Sequence, residues 1–341
     1  MGFRGGIEVT AAALESAQKN LLTGLKEAIR EEMQANDRMV CIGEDIGILG
    51  GAFGVTEGLQ AEFGPQRVID APISEAAIVG TAIGLAMMGR PVMVEMQFID
   101  FISCGFDQIV NNAATMHYRT AGDVSLPIVI RGPSGGYGGG GPYHSQQNET
   151  WFAHSPGLKV VVPAFPKDAK GLMKASLRDP NPVIFYEVKE LYRKREIEQE
   201  LDEEIIPLGK ANIVREGDDI TIVSYGNPVH FCLEAAVKLE AEGIHAEVID
   251  LRTLVPLDEQ AILDSVAKTN RVIVVNEATR TCGFAGEVIA RINELAFEKL
   301  DAPPLRVTRT DTPVPWVKPL ELAVLPSVED IVETATRVAK Y

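Results

Sequence analysis

Cysteine is scarce. The chain has four, Cys41, Cys104, Cys232 and Cys282, far apart and with no CxxC pair. That spacing excludes a disulfide scaffold and the usual zinc motifs, so reduced thiols in a cytoplasmic chain are the simpler expectation. Long apolar runs are also missing. The longest, 76–88, is broken by Gly and Thr and is shorter than the roughly 20 residues of a membrane span. Basic charge is in deficit: 32 Lys plus Arg face 48 Asp plus Glu, a net charge of −16. A phosphate backbone would repel such a chain, and its one basic cluster, Arg193 to Arg195, is followed at once by Glu196 and Glu198. Neither nucleic acid nor a membrane is expected as a partner. There is no GxxxxGK[ST] and no GxSxG, which removes Walker nucleotide binding and a hydrolase elbow. No gathered carboxylates or histidines mark a metal site. A diphosphate cofactor bound here would therefore lack evident ligands of this chain's own for its phosphates and magnesium.

What is present reads as an ordinary globular protein: 46% hydrophobic and 23% charged over 341 residues. At roughly 150 residues per domain this predicts two domains. Short β-branched runs at 40–43, 67–71, 91–95, 127–131, 159–163 and 182–187 alternate with helical patterns. A second series lies at 220–225, 246–251, 271–276 and 305–309. Near-continuous apolar strands between helices predict an α/β fold of two parallel-sheet domains, each covered on both faces. The charged stretch 189–208 breaks the rhythm and reads as a linker. The expected organisation is a disordered N-terminal lead-in over 1–19, one domain over 20–200 and a second over 201–341.

Ligands of open parallel sheets sit beyond the carboxyl ends of the strands. Glu44, Glu75 and Gln97 each lie just after a strand. Glu75 also opens a helix among small apolar side chains. Poor solvation there would raise its pKa and let it share a proton with a ligand nitrogen. Equally, it could be a charge favoured by the helix dipole, with Ser74 as cap. Phe98 and Phe101, in MQFIDF, offer a face for stacking a heterocycle or simply fill the core. The loop 132–146 is dense in glycine, and its GxGxxG match at 136–141 is weak because it runs into Pro142 and not into a helix. Such a run is flexible unless a ligand or partner approaches its backbone closely. His144 at its end is either a proton donor to a substrate or an exposed side chain on a mobile loop. His154 reads as structural; His117, His230 and His245 read as surface or packing residues.

These segments coincide with those of a known family. GEDIG at 43–47, GGAFGVTEGLQAEFG at 50–64, RVIDAPISE at 67–75, EMQFIDF at 95–101, FDQIVNNAA at 106–114 and PIVIRGP at 127–133 carry the likeness. HSQ at 144–146, PGLKVVVPAFPKDAKGL at 156–172, DPNPVIFYE at 179–187 and EVIDLRTLVPLD at 247–258 continue it. From about residue 20 onward the chain resembles the beta subunits of thiamin-diphosphate-dependent 2-oxo acid dehydrogenases of pyruvate or branched-chain type. The resemblance implies a transketolase-like pyrimidine-binding domain and, after it, a transketolase C-terminal domain. It implies that Glu75 contacts the aminopyrimidine and favours its imino tautomer, that Phe101 stacks on that ring, and that His144 serves as active-site histidine, orienting or protonating intermediates. Glu44 and Gln97 join the expected cofactor contacts. A structural potassium ion, bound in some members, would fall on Ile128, Val129, Ser176, Leu177, Asp179 and Asn181.

The family's magnesium and diphosphate ligands lie on an alpha subunit, whose GDG…NN signature is absent here. The implied assembly is an α2β2 heterotetramer that decarboxylates a 2-oxo acid and passes the acyl group to the lipoyl arm of a dihydrolipoyl acyltransferase. The acidic C-terminal domain is a candidate docking face for that partner. Rival readings are an acetoin dehydrogenase subunit, which shares these motifs, a non-catalytic α/β scaffold subunit and a flavodoxin-like electron carrier.

Overall fold

The computed structural model describes residues 18–341. Of the lead-in expected over 1–19, residues 1–17 lie outside the described residues. Gln18–Lys19 forms a short strand antiparallel to Gln199–Glu200. The helix Leu21–Ala35 starts where Asn20 accepts a hydrogen bond from the Thr23 amide at 2.9 Å. Leu21, Leu25, Ala28, Ile29 and Met33 recur at helical spacing and are all buried.

The first sheet has seven strands in the order Thr253–Val255, Lys159–Val161, Val183–Val188, Ile128–Ser134, Val92–Glu95, Val40–Gly43 and Val68–Asp70. All pairs are parallel except the outermost, where Thr253–Val255 runs antiparallel to Lys159–Val161. The second sheet has five, in the order Leu305–Arg309, Val272–Thr279, Ile220–Ser224, Ala246–Asp250 and Asn212–Arg215, the last antiparallel. Strand side chains alternate between faces, and here the alternation assigns two cores. Ile222, Val248, Ile273 and Val275 join a cluster with helices Pro228–Ala241 and Val328–Ala339. Val223, Ile249, Val272 and Val274 face the other way, into a cluster continuous with the first domain's core. The domains therefore share buried apolar surface. Among the described residues no helix is long and apolar enough to cross a membrane.

Two departures from the sequence pattern have physical causes. The helical pattern over residues 106–118 forms no single regular helix: after a 3₁₀ turn Ile99–Gly105 come a π turn Gln108–Ala113 and a short α-helix Ala114–Arg119. Asn111 and Asn112 donate side-chain hydrogen bonds back to Asp107, local contacts that compete with regular helical bonding. Strand Thr253–Val255 is hidden in the run EVIDLRTLV. The chain corners at Arg252, whose φ is +59° and whose guanidinium holds Asp168 through two bonds of 2.6 and 2.9 Å.

Candidate active site

Three parallel strands deliver their ends to one place. Val40–Gly43 leads to Glu44 and Asp45, Val68–Asp70 leads to Glu75, and Val92–Glu95 leads to Gln97, Phe98 and Phe101. Glu75 is half-buried as the first residue of helix Glu75–Met87. Ser74 occupies the N-cap position, but its hydroxyl makes no capping bond. Glu44 is buried beside it. Burial raises the Glu44 pKa above the ordinary carboxylate value, and the charges of Glu75 and Asp45 add to the rise. Gln97 Nε2 donates to Asp45 at 3.4 Å. None of Glu44, Asp45 and Glu75 forms an ion pair with another described residue. Three acidic side chains without a counter-charge favour a ligand that donates hydrogen bonds or carries positive charge.

The wall of this acidic mouth is aromatic. Phe98 meets Phe53 edge-on at 5.6 Å and Phe101 at 6.3 Å. The turn carrying Phe101 is held against the Glu75 helix by Gly105, where a Cβ would lie 3.3 Å from the Glu75 carbonyl oxygen and 3.2 Å from Val79. His144 is half-buried in this corner, edge-on to both Phe98 and Phe101. Asp100 fixes its approach by accepting from the Ser145 and Gln146 amides, each at 3.1 Å. Thus Glu44, Glu75, Gln97, Phe101 and His144 gather at one rim of the sheet. A planar ring with an amino group and ring nitrogens fits this lining: carboxylates for the polar edge, phenyl rings for the faces.

The remaining expected residues lie elsewhere. Ile128 and Val129 are buried at the start of a central strand, and Val129 pairs with Val183. Ser176 and Leu177 end helix Pro166–Leu177, and Ser176 donates to the Leu172 carbonyl at 2.7 Å. Asp179 accepts from the Asn181 amide at 2.9 Å and pairs with the Lys159 ammonium. That carboxylate already holds one cation. Among the described residues no group of three or more His, Cys, Asp or Glu side chains is gathered to bind a metal. All four cysteines are free. His230 is a packed residue: its Nε2 lies 2.8 Å from the Ala164 carbonyl, its ring meets Phe165, and burial pushes its pKa down to about 4.

A charged cluster beneath the site escapes the sequence pattern. Arg131, 1% exposed, bonds Glu187 through Nε at 2.6 Å and also contacts Glu95; the Tyr192 hydroxyl donates to Glu187 at 2.5 Å. Burial pushes Glu95 up to about 7, opposed by Arg131 and assisted by the Glu187 charge. The loop bearing Phe53 leans on this cluster, since a Cβ on Gly51 would lie 2.6 Å from Glu95 Oε1. The only signal in the sequence is a charge inside each of three apolar strands, in VMVE, IVIRG and VIFYEV.

Comparison with known proteins agrees with this anatomy. The transketolase pyrimidine binding domain model matches residues 17–195, and the transketolase C-terminal domain model matches 209–331. The chain is 46% identical to the 2-oxoisovalerate dehydrogenase subunit beta of Bacillus subtilis (strain 168), over 91% of this chain and 95% of that protein. It is 44% identical to the pyruvate dehydrogenase E1 component subunit beta of the same organism, over 95% of this chain and 100% of that one. Among solved structures a split gene transketolase, described as an inactive beta4 tetramer, superposes with a TM-score of 0.77 at 22% identity, covering 94% of this chain and 98% of that one. That last likeness concerns the fold alone.

Proposed function

Because this chain belongs to the family of E1 beta subunits of the pyruvate and branched-chain 2-oxo acid dehydrogenases, we propose that it contributes the pyrimidine half of a thiamin diphosphate site shared with an alpha subunit. The observation that carries the reading is the placement of Glu75. It opens a helix beside buried Glu44, and the turn that carries Phe101 packs on that helix at Gly105.

Thiamin diphosphate, when bound, supplies the nucleophilic carbon and the electron sink that decarboxylation of a 2-oxo acid needs. The residues of this chain do the rest of the work on its side of the site. Glu75 would share a proton with the pyrimidine ring nitrogen, with the buried Glu44 carboxyl beside it. Phe101 and Phe98 exclude water from the ring faces. Gln97 tethers Asp45 at the polar edge. His144 reaches the substrate side, where an imidazole can hold or pass a proton as the acyl group moves to a lipoyl arm.

The alpha subunit supplies the magnesium and diphosphate contacts, in an α2β2 assembly that serves a lipoylated acyltransferase. A potassium ion near Ile128, Val129, Ser176, Leu177 and Asn181 would have to share Asp179 with Lys159. The test is co-expression with the alpha subunit and then decarboxylation assays with pyruvate, 2-oxoisovalerate and acetoin. Activity on either 2-oxo acid, lost in Glu75→Gln, supports the reading. Activity on acetoin alone transfers the chain to the acetoin dehydrogenases. A Glu75→Gln complex that turns over at the wild-type rate overturns the assignment.

A further inference from the structure

The glycine-rich loop before His144 touches the other domain at Gly136, Tyr137, Gly139 and Gly141. The Gly136 amide donates to Glu277 Oε1 at 2.5 Å. The Gly139 amide donates to both oxygens of Glu321, at 3.0 and 3.1 Å. The Tyr137 hydroxyl donates to the Pro326 carbonyl at 2.8 Å, and Lys318 reaches the Tyr137 carbonyl. Glu277 and Glu321 are 2% and 0% exposed, so these acceptors are withdrawn from water and aimed at the loop. Burial pushes Glu277 up to about 7, and in either protonation form a carboxyl oxygen can accept from the Gly136 amide.

The glycines are what permit the approach. A Cβ on Gly136 would lie 2.8 Å from Leu325 Cδ1; on Gly141, where φ is +65°, one would lie 2.6 Å from the Trp316 ring. Beyond the loop, Asp100 of the first domain takes the Ser145 and Gln146 amides. His144 thus sits between a clasp from its own domain and one from the second.

We propose that Glu277 and Glu321 of the C-terminal domain are positioning residues for His144, holding the amides of Gly136 and Gly139 so that the imidazole stays in the Phe98–Phe101 corner. This rests on the proposed function, in which His144 acts on the substrate side. It assigns the second domain a part in the reaction although Phe53, Phe98, Phe101 and His144, which build the aromatic corner, all come from the first. Loss of either carboxylate frees the loop without touching Glu75, Phe101 or the ring site.

The experiment uses the complex with the alpha subunit and four variants: Glu277→Ala, Glu277→Gln, His144→Ala and the double variant His144→Ala/Glu277→Ala. Amide hydrogen exchange over 135–146 reads the loop directly, and two assays separate decarboxylation with an artificial electron acceptor from acyl transfer to a lipoyl domain. Glu277→Ala is expected to speed exchange at Gly136 at least tenfold and to lower kcat for acyl transfer about tenfold, with KM for the 2-oxo acid within threefold. Glu277→Gln, which keeps an acceptor oxygen, restores both. The double variant should be no slower than His144→Ala, because groups acting through one another are not additive. Wild-type exchange and wild-type transfer in Glu277→Ala overturn the proposal, as does a double variant whose losses multiply. Glu75→Gln measured alongside keeps the two readings apart. If it is inactive while Glu277→Ala behaves as wild type, only the positioning role falls; if it is fully active, the site assignment itself falls.

Discussion

His144 stands edge-on to Phe98, with ring centroids 4.4 Å apart and planes at 86°. A second edge contact ties it to Phe101 at 5.6 Å. Perpendicular rings fix the imidazole plane, because the positive edge of one ring seeks the negative face of the other, a preference of about 0.5–1.5 kcal/mol per pair. The histidine is therefore oriented from the side by phenyl rings and from behind by its loop.

Phe98→Leu keeps the apolar volume but removes the flat partner. Acyl transfer is expected to fall by about two- to tenfold, the range that the edge contact spans in free energy. Decarboxylation to an artificial acceptor should change less. Equal losses in both assays would show that Phe98 acts on the ring site and not through His144.

Glu75→Gln retains size and can still accept a hydrogen bond but offers no carboxyl proton. Turnover should drop by about 10²–10⁴, the usual worth of a positioned acid or base. Assembly and melting temperature should stay near wild type, since Glu75 is half-buried and forms no ion pair with a described residue.

Glu95 provides a pH signature. Its folded pKa of about 7 lies above the ordinary 4.5, so the folded state binds this proton more tightly than the unfolded chain does. The resulting stabilisation is full below about 4.5 and is lost as pH rises through 7, a swing on the order of a few kcal/mol. Glu95→Gln removes that window. The melting temperature of the variant relative to wild type should climb between pH 5 and 8, and a flat difference would reject the assignment. Arg131→Leu is expected to cost about 3–5 kcal/mol, because it leaves Glu187 buried without its cation.

Gly141→Ala combines a left-handed backbone with a Cβ driven into the Trp316 ring. A cost of about 1–3 kcal/mol is expected from the overpacking, read as a lower melting temperature. Trp316→Ala in the same chain should recover part of it.

Much of this architecture is legible in the sequence, and the reason is the local character of the signals. Every strand expected from the apolar runs is present, from 40–43 through 305–309, since parallel strands buried on both faces have few polar positions. Glu44, Glu75 and Gln97 stand out because each comes just after the carboxyl end of a strand. The antiparallel strand Asn212–Arg215 escapes because it is half-exposed and lacks a continuous apolar run. The Arg131 cluster and the clasp by Glu277 and Glu321 escape because their members are brought together across long stretches of chain, where pattern has no reach. The glycine run at 135–141 is legible only as a conditional: mobile unless something approaches it. What approaches is the chain's own second domain.

The strand Thr253–Val255 has a practical corollary. It belongs by chain order to the second half of the molecule but completes the edge of the first sheet, beside Lys159–Val161. A fragment ended at residue 200 would carry all the residues proposed to bind the ring and yet leave that flank bare, a row of unmet donors and acceptors inviting adhesion between copies. Anyone dissecting this protein into halves should expect the first half to precipitate by itself and to dissolve when the second is supplied.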